Sequence, residues 1–221
     1  MPLSMVDVLR GASTEGYRAV TGWALGAPEW VRGAAEAGTD LLLAGFAAVM
    51  LAVWWRSRRW GARAVGAALL GPVAAVAAYL VSETAKSVVE QDRPCRAVWD
   101  AAASIAACPE VGDWSFPSNH AAVAGAAAAA AVVAWRWAGA VVVPLAVLEA
   151  FSRVFVGVHY PHDVLVGLAV GAVVAVPVVV WGSGPAGVLV ERLRGVGGLR
   201  WLLAADAPRE RGRAVVGGGS R

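Results

Sequence analysis

The chain carries more long apolar runs than a water-soluble fold of its size can bury. Residues 39–56, 64–84, 121–136, 138–152 and 163–182 each hold at most two ionisable side chains. A helix that crosses roughly 30 Å of hydrocarbon needs about 20 apolar residues, so these runs are expected to span a membrane. The third and fourth are short and meet at the tight turn WRWAG. Only 16% of the residues are charged, against about 25% in a soluble domain, so a water-exposed surface of ordinary size cannot be covered. The expected fold is all-α: a polytopic membrane helical bundle of about five transmembrane helices, with interfacial helices at the N-terminus. No 20–50-residue window repeats, and MPLSMVDVLRGAST lacks the charged start and apolar run that a signal peptide requires.

The basic residues indicate orientation rather than nucleic-acid binding. The formal net charge is +3 and the pI near 9.3. Yet Arg56, Arg58, Arg59 and Arg63 lie between two spans, and Arg192, Arg194, Arg200, Arg209, Arg211 and Arg213 lie in the tail. Trp54, Trp55, Trp60, Trp135, Trp137 and Trp181 fall at the same span ends, together with Arg136. A positive-inside bias with an aromatic belt has this form, so those ends are expected to face the cytoplasm. Residues 1–38 mix Trp23 and Trp30 with Glu15, Glu29 and Glu36, as amphipathic helices lying in the interface do. Residues 39–182 form the transmembrane domain, and 183–221 a cytoplasmic Arg/Gly-rich tail with a short interfacial helix. The segments around 85–120 and 152–163 then share the outer face.

The unusual polar residues collect in those two segments. In KSVVEQDRP, Lys86 is the chain's only lysine, and Arg93 follows it by seven residues. On a helix continuing from the second span the two share one face, and Pro94 disfavours further helix at Arg93. Two cations there suit an anion, or alternatively snorkel to lipid headgroups. In FPSNH, Ser118 is a natural N-cap, and the amides of Asn119, His120 and Ala121 would open a helix N-terminus toward an anion. In FSRVFVGVHYPHD, Arg153 offers a fork that grips phosphate oxygens. His159 precedes a helix started by Pro161, and Asp163, four residues on, can hold one nitrogen of its ring, leaving the other free and basic. Glu149 stands four residues before Arg153, the spacing of a supporting ion pair. Together the clusters point to phosphoryl transfer.

KSVVEQDRP, PSNH and SRVFVGVHYPHD, in that order, resemble the three-part signature of the type-2 phosphatidic acid phosphatase (PAP2) superfamily. Position 119 is Asn where many members have Gly. The resemblance implies a membrane phosphatase that works through a phosphohistidine without metal or other cofactor. His159 would be the nucleophile, Asp163 its orienting carboxylate, and His120 the general acid and base. Lys86, Arg93, Ser118, Asn119 and Arg153 would hold the phosphate. The short chain, the interfacial N-terminus and SFPSNH look most like the bacterial undecaprenyl-diphosphate phosphatases of this superfamily. That makes a polyprenyl diphosphate in the cell membrane the expected substrate. Phosphatidic acid or phosphatidylglycerol phosphate is the alternative.

His162 matches no catalytic position and admits a rival reading, in which His159, His162, Asp163 and His120 bind a metal. Pro161 departs from the helical spacing of such motifs, and a metal leaves Lys86, Arg93 and Arg153 unexplained. An anion transporter would use the same charges without hydrolysis. Cys95 and Cys108 fall in the outer loop, where a disulfide persists, and are expected to be bridged, at a gain of roughly 3 kcal/mol in the chain-entropy account.

Overall fold

A computed structural model describes residues 5–196 and 198–203, and these residues contain helices and loops but no strand. In chain order the helices are α1 (Met5–Gly26), α2 (Glu29–Ser57), α3 (Ala62–Val89), α4 (Pro94–Ala97), α5 (Asn119–Ala134), α6 (Gly139–Phe155), α7 (Pro161–Leu193) and α8 (Arg200–Leu203). A 3-10 turn over Arg136–Ala138 joins α5 to α6. Four segments are long and apolar enough to cross a membrane: Glu29–Ser57, Ala62–Ala97, Arg136–Phe155 and Pro161–Leu193. The apolar α5 is a shorter fifth. The chain is therefore an all-helical membrane bundle.

Two expected boundaries move. The division at 38/39 falls inside α2, which runs unbroken from Glu29 behind the N-capping Pro28. Once a helix is nucleated, each further residue adds a hydrogen bond at little cost, so the polar first turns stay helical. At the other end α7 continues past 182 to Leu193, through Pro177 and Pro185. At 33 residues it is about 50 Å long, more than a bilayer's hydrocarbon requires. The expected tail from 204 onward lies outside the described residues.

The centre of the bundle is α5, whose alanines let its neighbours approach. Nine of its sixteen residues are buried, chiefly against α3 and α7. Helices in lipid have no hydrophobic drive to associate and rely on close backbone packing between small residues. Gly171 of α7 shows how close: a Cβ there would stand 2.1 Å from the Ala122 carbonyl oxygen and 2.6 Å from the Ala126 nitrogen. Both obstacles are backbone and cannot rotate aside. Gly171→Ala is therefore expected to destabilise the fold by at least about 3 kcal/mol, the upper range for overpacking. A fall in the midpoint of thermal unfolding in detergent would register it; an unchanged midpoint would mean that α5 and α7 separate freely.

The two ends of the bundle differ in chemistry. At one end Arg56 lies over Trp135 at 4.7 Å, Arg58 over Trp55 at 4.1 Å, and Arg136 over Trp137 at 4.6 Å. This is the Arg–Trp belt expected from the sequence. At the other end α3 stops, α5 and α7 start, and α6 arrives. There α1, which is not among the membrane-crossing segments, braces the turn between α6 and α7. The Tyr17 hydroxyl donates to the Gly157 carbonyl at 3.0 Å, and the Ser13 hydroxyl meets His162 Nδ1 at 2.7 Å.

Candidate active site

The turn after α6 aims the first site residue. Gly157 has φ +86°, and a Cβ on it would meet Ser104 at 2.8 Å. Left-handed backbone favours glycine, and the close approach of Ser104 enforces it. Two residues later His159 is buried at the floor of a pocket, with Pro161 opening α7 beyond it. The pocket has a volume of about 390 Å3, and its lining includes Lys86, Arg93, Asn119, His120, Arg153 and His159.

The hydrogen bonds fix the tautomer of His159. Arg93 Nη1 lies 3.1 Å from His159 Nε2, and a guanidinium can only donate. Nε2 therefore carries the lone pair and Nδ1 the proton. Nδ1 points to Asp163 Oδ2 at 3.4 Å. The same carboxylate oxygen accepts from the Tyr160 amide at 2.9 Å and from the Ser115 hydroxyl. Asp163 is thus fixed before any substrate arrives, and Nε2 faces the pocket.

Burial, and then the charges of Arg93, Arg153 and Lys86, hold the His159 pKa well below its ordinary value. Each acts against the cationic ring, so the ring stays neutral as pH falls through 6.5. A free imidazole of pKa about 6.5 is roughly nine-tenths protonated by pH 5.5. In 15N-histidine NMR, His159 is expected to remain neutral with an unprotonated Nε2 at that pH. A resonance titrating at 6.5 or above would contradict the cationic surroundings.

Arg93 reaches the pocket by a route other than the expected one. The helix bearing Lys86 ends at Val89, with Glu90 at φ 48°, and Arg93 is the extended residue ahead of α4. The two cations do not share a helical face: the left-handed cap turns the chain, and Pro94 starts a new helix. They meet at the carboxylate of Asp113, whose Oδ1 is 2.8 Å from Arg93 Nη2 and 3.3 Å from Lys86 Nζ.

Glu149 and Arg153 make no direct ion pair. Thr39 of α2 stands between them, accepting from Arg153 Nη1 at 2.8 Å and donating to Glu149 Oε1 at 3.5 Å. Both groups are therefore held through a hydroxyl. Glu149 Oε2 has no partner among the described residues. Arg153 Nε is likewise buried and without a partner among the described residues, and the residue lines the pocket.

The FPSNH segment divides its roles. Ser118 is buried and caps α5 by accepting from the Ala121 amide at 3.4 Å; it does not line the pocket. Asn119 accepts from Ser82 at 2.7 Å and donates to Glu83, tying α5 to α3. His120 lines the pocket across from His159, with Nε2 3.4 Å from Asp40 Oδ1. His162 faces α1 and Gln91, stacks on Tyr160, and brings Nε2 to 3.1 Å from Asp163 Oδ1, the carboxylate oxygen not used by His159. Among the described residues no group of three His, Cys, Asp or Glu side chains is arranged to hold a metal ion. Cys95 and Cys108 are joined in a disulfide, with Cα atoms 6.0 Å apart, which tethers the loop leading to Asp113.

Thr39, Asp40, Asp113 and Ser115 are the residues that motif reasoning missed. Thr39 and Asp40 are polar side chains at the head of an apolar run, GTDLLLAGF, and their place there was the available signal. For Asp113 no local pattern distinguishes it from other loop carboxylates.

The structure is a membrane-type helical bundle with a cationic pocket beside a buried His–Asp pair at one end, an arrangement suited to holding an anion. The PAP2 superfamily profile matches residues 67–184, more than half of the chain, and the protein belongs to that family of phosphatases. It is 31% identical over 126 residues to an undecaprenyl-diphosphatase of Sulfolobus acidocaldarius, covering 56% of this chain and 55% of that protein. It is 34% identical over 123 residues to a decaprenylphosphoryl-5-phosphoribose phosphatase of Mycobacterium tuberculosis, covering 54% and 59%. The matches thus span little more than half the length of these relatives. The fold resembles a transmembrane PAP2-type phosphatidylglycerolphosphate phosphatase of Bacillus subtilis, with TM-score 0.55, 22% identity, and coverage of 78% of this chain and 85% of that one.

Proposed function

We propose that the protein removes the terminal phosphate of a polyprenyl diphosphate carrier at the outer face of the cell membrane, without a metal. The observation that carries this reading is where the cationic pocket leads. Leu43 and Val123 line both that pocket and an apolar groove of about 570 Å3 that runs along α2 and α3 past Phe46, Met50 and Trp54. A phosphate held by cations and a hydrocarbon tail in the groove would meet at these two residues. Two of the relatives are named for polyprenyl substrates, which favours a long isoprenoid tail over a diacylglycerol. The Arg–Trp belt at the opposite end supports a cytoplasmic C-terminus, with the pocket facing outward.

In this mechanism His159 Nε2 attacks phosphorus in line. The bond from phosphorus to the bridging oxygen breaks, and its electron pair leaves with the prenyl phosphate. Asp163 steadies the imidazolium that forms. Lys86, Arg93 and Arg153, with amides at the start of α5, hold the three equatorial oxygens, because phosphoryl transfer asks a protein mainly for positioning and charge stabilisation. His120 protonates the leaving oxygen, then deprotonates the water that cleaves the phosphohistidine.

The test is phosphate release by purified protein in detergent with EDTA present. It compares a polyprenyl diphosphate, phosphatidic acid and phosphatidylglycerol phosphate. Preference for the polyprenyl diphosphate is expected. A glycerolipid preference would replace the substrate, and dependence on a divalent cation would replace the mechanism.

A further inference from the structure

We propose that the side chain of Asp113 is an internal competitor for the phosphate cradle, displaced each time a substrate phosphate binds. This inference rests on the anion-site reading above.

The resting pocket already holds an anionic group against two of its cations. Lys86 and Arg93 are both buried, and a buried charge without a counter-charge is costly. One oxygen of Asp113 serves both, at 3.3 Å and 2.8 Å. Both are also cations proposed to hold the transferring phosphate, so Asp113 Oδ1 occupies the position of a phosphate oxygen. Arg93 Nη1, meanwhile, donates to the lone pair of His159 Nε2, the atom that must attack. Phosphate entry therefore has to release Lys86 and Arg93 from the carboxylate and uncover Nε2 together.

A purely structural clamp is the obvious rival, and the geometry argues against it. Arg93 is positioned without the carboxylate: its Nε donates to the Asp113 backbone carbonyl at 2.9 Å and its Nη1 to the Val158 carbonyl at 3.1 Å. The loop backbone is also held independently, by the disulfide at Cys108 and by the Ser115 amide donating to the Gln91 carbonyl at 2.7 Å. The Asp113 side chain is 47% exposed, so it can swing into water while its backbone stays in place. Burial alone would raise its pKa, but Arg93 and Lys86 outweigh this and lower it, so it remains a charged competitor. Glu83 is the other carboxylate near Lys86, at 3.9 Å. It accepts from Asn119 and does not reach Arg93.

An anion must therefore outbid a tethered carboxylate. A dianionic phosphate or diphosphate end can do so with its greater charge, while singly charged anions are rejected. Asp113 is in this sense a specificity-determining residue.

The experiment measures binding of inorganic phosphate and orthovanadate to the detergent-purified full chain by calorimetry, separately from turnover. Asp113→Asn keeps an acceptor for Arg93 but removes the charge. It is expected to tighten both anions about tenfold and to sharpen inhibition by phosphate. Asp113→Glu, which restores the charge, should return affinity toward wild type and shows that the position tolerates substitution. Equal or weaker anion binding by Asp113→Asn would overturn the proposal and leave the clamp. Absence of binding in wild type and in Asp113→Asn alike would overturn it together with the anion site. Tenfold tightening with no lipid hydrolysed would uphold the competitor and discard the phosphatase reading alone.

Discussion

Replacing His159 by alanine is expected to lower phosphate release by about 10^4-fold or more, the scale on which loss of a covalent nucleophile is felt. The expectation follows from how much of the site converges on one nitrogen. Asp163 Oδ2 collects the Tyr160 amide, the Ser115 hydroxyl and His159 Nδ1, which leaves Nε2 as the neutral, lone-pair end, met by the Arg93 guanidinium. Alanine removes that nitrogen while leaving Lys86, Arg93 and Arg153 in place. The variant should therefore still bind phosphate while failing to turn over lipid. Measured as phosphate release in EDTA, with anion binding run in parallel, this split separates loss of chemistry from loss of fold. Residual activity within tenfold of wild type would mean that His159 is not the attacking group.

The residues that could be found from sequence share one property: their chemistry is rare in an apolar chain. The chain's single lysine, its three histidines and Arg153 stand out because a bilayer makes ionisable groups expensive. The spans were legible for the same reason, since hydrocarbon allows little besides apolar helices. What could not be read was how the backbone turns between motifs. Spacing suggested that Lys86 and Arg93 lie along one helix, but the left-handed cap at Glu90 brings them together through Asp113 instead. Similarly, the i, i+4 spacing of Glu149 and Arg153 was correct as helix geometry, yet Thr39 arrives from another helix and intervenes. Periodicity describes one helix at a time, and the contributions of α2 are tertiary. The start of α2 at Glu29 was missed because glutamates mark an interface only until a neighbouring apolar run nucleates the helix they precede.

Replacing His120 by alanine should expose which bond the enzyme is built to break. His120 is proposed to act twice, first on the leaving oxygen and then on water, and the two demands differ with substrate. A diphosphate expels a prenyl phosphate whose oxygen, with a pKa of about 6, is a good enough leaving group to gain little from protonation by His120. Phosphatidic acid expels an alkoxide, a far stronger base than a phosphate oxygen, which needs a general acid. On a polyprenyl diphosphate, His120→Ala should therefore spare the first step relative to the second. Phosphohistidine should accumulate toward one per chain while steady-state release falls by about 10^2- to 10^4-fold, the range for general acid–base catalysis. On phosphatidic acid the same variant should stall before any phosphoenzyme forms. Radiolabelled terminal phosphate, quenched in base where phosphohistidine survives and then exposed to acid where it does not, reads the difference directly. Accumulation on both substrates would show that His120 acts only on water, because the alkoxide would then be leaving without its help. Accumulation on neither would remove His120 from the hydrolytic step and pass that role to another base, such as Asp40, 3.4 Å from the imidazole.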